Sequence, residues 1–83
     1  NKIMSKFELT AHCQMYLGQG VCIPKGQQMI INIPMMGITP GNLFGNNRCK
    51  DMVLQQFAVN GISVPPTSPI LNRGHWDIKM LPF

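Results

Sequence analysis

The reactive side chains in this chain are few. Its carboxylates are Glu8, Asp51 and Asp77, its imidazoles His12 and His75, and its thiols Cys13, Cys22 and Cys49. Catalysis needs such groups held within hydrogen-bond reach of each other and of a substrate. A carboxylate pair for glycoside or aspartyl chemistry would have to be drawn from the sheet and the helix separately. The sharpest local pattern is His75-Trp76-Asp77. On a strand its two ends share a face while the tryptophan takes the other. Such a pair could orient an imidazole for proton transfer or for a metal. The simpler reading, adopted here, is a solvated face with a core tryptophan behind it. No thiol sits in a Cys-x-x-Cys arrangement, and Cys13 to Cys22 is too wide for a zinc knuckle. The cysteines therefore read as small apolar residues. No catalytic residue, metal or cofactor is expected, and the protein is read as a non-enzyme.

A second chemistry is suggested by Leu43 to Asp51, LFGNNRCKD, which has the form of a helix entrance. Asn46 or Asn47 suits the N-cap, because its side-chain carbonyl can accept from an amide two or three residues on. Arg48 and Lys50 then lie where the helix dipole disfavours cations, each at a cost of a few tenths to about 1 kcal/mol. Their use would be to join the first-turn amides in holding a phosphate or carboxylate. Asn47, Arg48 and Lys50, with Arg73, are thus candidate anion or nucleic-acid contacts, and Tyr16, Phe44 or Trp76 could stack on bases. The glycine spacing of a phosphate loop is absent.

These residues have to be positioned by a small set of elements. Phe7, Leu9, Ala11, Cys13 and Met15 alternate with polar neighbours, which predicts a strand over 6–17. Gly18 and Gly20 interrupt it, and Pro24-Lys25-Gly26 is expected to reverse the chain into a second strand over 28–33. Cys49, Met52, Val53 and Phe57 lie three or four apart, predicting a helix over 47–59 that stops at Asn60-Gly61. Pro65, Pro66 and Pro69 keep the next stretch extended. Asn72-Arg73-Gly74 reads as a turn, and 75–81 as a last strand with Trp76, Ile78 and Met80 inward. The predicted fold is α+β, in the order β-β-α-β: a small antiparallel sheet of three or four strands with one helix on a face.

The segment from Met35 to Gly45 is a loop by its Gly37, Pro40 and Gly41, yet it carries Met35, Met36, Ile38, Leu43 and Phe44. These five form the candidate protein-interaction surface; the competing expectation is that the loop folds back over the core. Met15, Met29, Met52 and Met80 fall at core positions, where methionine fills gaps.

Length sets the frame. The 83 residues are read as one domain over 1–83, with residues 1–5 a leading segment outside its fold. Charged residues are only 12% against about 25% in an average domain, so the surface is built from amides and hydroxyls. Such a surface protects weakly against self-association. The net charge of +4 comes from scattered cations rather than a basic run. No stretch approaches the length of apolar sequence needed to span a membrane. The odd cysteine count fits a reducing compartment, and the expected location is cytoplasmic. The sequence thus predicts a non-enzymatic interaction module that forms a homo-oligomer within a larger protein assembly. The alternative is a nucleic-acid or anion binder working through Arg48 and Lys50.

Overall fold

The computed structural model describes residues 5–18 and 20–82. Along the chain run β1 (Ser5–Ala11), β2 (Met15–Gly18), β3 (Val21–Ile23), β4 (Gln28–Ile33), a 3-10 turn (Asn47–Cys49), α1 (Lys50–Val59) and β5 (Trp76–Leu81). Strands β4, β1 and β5 form an antiparallel sheet with β1 in the middle, and β2 and β3 form a separate two-stranded ribbon. The protein is therefore an α+β domain with a small antiparallel sheet and one helix. Of the leading segment, only Ser5 lies within the described residues, and it opens β1 rather than preceding it.

Alternation sets the sheet. Phe7 lies opposite Ile31 and Met80, and Leu9 opposite Met29 and Ile78, so each pairing extends an apolar row across the strands. The reverse face carries Lys6, Glu8, Thr10, Gln28, Asn32, Asp77 and Lys79 beside Ile30 and Leu81.

The predicted strand over 6–17 is two strands, broken at His12–Gln14. Period two runs on through Ala11, Cys13 and Met15 and gives no sign of the break. The cause lies on the returning limb. Pro24 has no N–H to give a ladder, and Gln27 N–H donates to its carbonyl at 3.2 Å, closing a turn with Gly26 at φ +90°. That turn bends the ribbon between β3 and β4. The reversal comes earlier, between Gly18 and Val21, which pair with each other. Val21–Ile23 is thus a strand that the sequence reading passed over, and the order becomes β-β-β-β-α-β.

The helix begins as predicted. Asn46 Oδ1 accepts from Arg48 N–H at 2.9 Å, and Cys49, Val53 and Phe57 are buried. At its end, Gly61 at φ +86° lets Gly61 N–H reach Ala58 O and Ile62 N–H reach Phe57 O, both at 2.9 Å. This is a Schellman stop, and it returns Ile62 to the core. The same helix and its C-cap cover part of one edge of the sheet. Gln56 Oε1 accepts from Asn32 N–H at 3.0 Å, and Asn60 Nδ2 donates to Ile30 O at 3.1 Å, so outward-facing backbone groups of β4 are paired by side chains. Phe57 meets Phe44 and Trp76 edge-on, at 6.0 and 5.7 Å between ring centres. Trp76 Nε1 donates to Ile70 O at 2.9 Å, which satisfies the buried indole.

Met80 departs from its expected inward place. It lies on the core side of the sheet but is 45% exposed, because β5 is the edge strand opposite the one that α1 covers. Met52 is only half-buried.

Replacing Gln56 with Met keeps its length and removes the acceptor for Asn32 N–H. A loss of about 1–2 kcal/mol in a denaturant melt is expected, because a part-buried amide is left unpaired. Gly61→Ala is expected to cost about 1 kcal/mol through backbone strain alone, since no atom lies within 4 Å of the added Cβ.

Candidate functional site

The loop comes first, since its five apolar residues are the expected interaction surface. Asn42 organises it: Oδ1 accepts from Thr39 N–H at 2.8 Å, Nδ2 donates to Gly37 O at 3.1 Å, and its own N–H reaches Thr39 O. This stapling turns the apolar side chains inward. Ile38 and Leu43 are buried in the core and so do not belong to an exposed surface. Met35 and Phe44 are half-buried against that core, Phe44 in contact with Phe57. Only Met36, at 74% exposure, faces solvent fully. The loop closes the open end of the core.

The candidate anion contacts are dispersed. Asn47, Arg48 and Lys50 are exposed around the start of α1, but the amides there are already used. Arg48 N–H goes to Asn46 Oδ1, Cys49 N–H to Asn46 O and Lys50 N–H to Asn47 O. Arg73 lines a shallow cleft with Pro40, Gly41, Trp76, Asp77 and Ile78. Lys50 lines a different one, together with Leu43, Phe44, Val53, Thr67 and Ser68. The four residues therefore do not line one cavity.

The His-x-Asp pattern resolves differently from its spacing. Asp77 accepts from the His12 ring, at 3.2 Å from Nδ1, rather than pairing with His75. His12 arrives across the strand pair, where its N–H bonds His75 O at 2.8 Å. Cross-strand register governs this contact, and one-strand spacing could not show it. Both side chains are about two-thirds exposed, so the pair is a solvated contact of the kind worth up to about 1 kcal/mol. His75 Nδ1 is covered and has no hydrogen-bond partner among the described residues.

All three thiols are free. Cys49 is buried, with Sγ 3.5 Å from Asn46 O and 3.6 Å from Leu43 O, and burial pushes its pKa up. Among the described residues no cluster of three or more His, Cys, Asp or Glu could hold a metal, and no helix is long and apolar enough to cross a membrane.

No family model matches the chain, and no curated protein or solved structure matches it. The class is therefore given by the fold alone: a small α+β domain with a three-stranded antiparallel sheet, a two-stranded ribbon and one helix.

Thiol alkylation in the native state is expected to follow exposure, with Cys22 first, Cys13 slower and Cys49 only on unfolding. Because the folded Cys49 pKa is raised, its share of stability is intact below the ordinary thiol pKa. That share is lost as pH climbs through the raised value, which alkaline melts of a Cys49→Ala variant against the parent would reveal.

Proposed function

We propose that the chain is a non-enzymatic interaction module that self-associates and contributes its exposed sheet edge to a larger assembly. The observation that supports this most is the contrast between the edges. Side chains of α1 pair with β4, whereas β5 leaves Met80 largely exposed and Ile78 half-buried at its rim. An unpaired edge with apolar side chains beside it is a template for another strand. The three free thiols fit a reducing compartment, and a cytoplasmic location is part of the proposal.

Sedimentation is expected to show a concentration-dependent dimer. Met36→Ser should leave that equilibrium unchanged, because Met36 is the one fully exposed apolar side chain the loop contributes. Phe44→Ser should instead lower stability by about 2 kcal/mol through the lost contact with Phe57. A protein that stays monomeric at millimolar concentration would overturn the proposal.

A second reading, an anion or nucleic-acid binder, draws support from Lys50 beside Thr67 and Ser68 at the mouth of one cleft. Binding of this kind weakens steeply with salt through counterion release. Titration with single-stranded and duplex oligonucleotides at two salt concentrations is expected to show no binding. Arg48→Ala with Lys50→Ala is expected to raise the melting temperature slightly, because two charges opposed to the helix dipole are removed.

A further inference from the structure

We propose that β5 pairs antiparallel with β5 of a second copy, with Ile78 opposite its own counterpart, so that two three-stranded sheets become one of six strands. This rests on the self-associating reading above and adds to it the edge, the partner and the register.

The backbone supplies the first part. Ala11 exchanges hydrogen bonds with Gly26 and Gln27, on the β4 side, while His12 N–H bonds His75 O, on the β5 side. Peptide groups alternate along an antiparallel pair. Lys6, Glu8 and Thr10 therefore point their backbone groups at Leu81, Lys79 and Asp77, their partners in the register. It follows that Trp76, Ile78 and Met80 present their N–H and C=O groups away from the sheet. No hydrogen bond from another segment reaches the backbone of Ile78 or Met80 among the described residues. A shallow cleft lined by Pro40, Gly41, Arg73, Trp76, Asp77 and Ile78 adjoins the start of this strand.

Charge selects both the occupant and the register. With Ile78 opposite Ile78, Asp77 of each copy falls opposite Lys79 of the other, giving two opposite-charge pairs on the polar face. Sliding the strands by two residues one way sets Asp77 against Asp77, and the other way sets Lys79 against Lys79. Like charges directly opposite are destabilising. Further slides leave little of the strand overlapped. A lysine on an edge strand ordinarily deters pairing, but here the complementary charge lies two residues away on the same strand, so the strand complements itself. Asp77 is exposed apart from its contact with His12, and Lys79, although its strand partner is Glu8, makes no ion pair among the described residues. On the core side the same register continues the apolar rows. Met29, Leu9 and Ile78 run into the partner's equivalent row, and Met80 of each copy lies beside Trp76 of the other, covering the side chain that one chain leaves open.

The test is a charge exchange read by sedimentation at low salt. Asp77→Lys alone and Lys79→Asp alone are each expected to weaken the homodimer by about tenfold or more in Kd, because attraction becomes repulsion in both pairs. Mixing the two variants is expected to restore dimerisation as a heterodimer, and the double variant Asp77→Lys/Lys79→Asp should again form a homodimer. Recovery on mixing also shows that neither variant had lost its fold. Ile78→Pro removes an outward N–H and is expected to abolish the dimer while the monomer still melts cooperatively. A dimer unaffected by the single exchanges and by Ile78→Pro would overturn this edge and register while leaving self-association standing. A monomeric parent would overturn both, even if it captured an extended segment of another protein.

Discussion

The ring of Phe57 holds the domain together. It is fully buried and meets Phe44 from the loop and Trp76 from β5. Its carbonyl also receives the Ile62 amide that stops the helix. Loop, helix and sheet thus converge on one residue. The dependence is mutual, since a helix the length of Lys50–Val59 is shorter than the roughly 12–15 residues at which isolated helices become even marginal in water. Two cations near its start weaken it further. Packing against the sheet, and the pairing of Gln56 and Asn60 with β4, must therefore supply what the helix lacks alone.

A domain of this size has little interior to spare, and irregular segments supply part of what it has. Ile38, Leu43, Ile62 and Ile70 are buried although none lies in a helix or strand. Each is held by a local device: Asn42 bridging its loop, the left-handed glycine after α1, or the indole bond to Ile70 O. Several polar residues are thereby committed to backbone satisfaction. Asn42, Asn46, Gln56, Asn60 and Asn72 each bond backbone groups of a turn, a cap or the sheet edge.

Local signals in the sequence carried much of this. The Asn46 cap, the Asn60-Gly61 stop, the apolar stripe of α1 and the alternation of β1 and β4 were legible because each depends on neighbours a few residues apart. What was hidden depends on pairing across the chain. The break after Ala11 follows from Pro24 on the opposite limb, and the partner of Asp77 is His12 rather than the nearby His75. The exposure of Met80 follows from which edge the helix happens to cover. The loop is a related case. Composition marked its residues as apolar, but only the Asn42 staple decides that Ile38 and Leu43 turn inward while Met36 does not.

The two edges also differ in what they permit beyond a single addition. A sheet open on both sides can recruit copies without limit, and this is the route to fibres. Here Gln56 and Asn60 pair two outward-facing backbone groups of β4, so that edge offers an incoming strand fewer free partners than a bare one would. Two amide side chains on one edge therefore weigh against open-ended growth from that side.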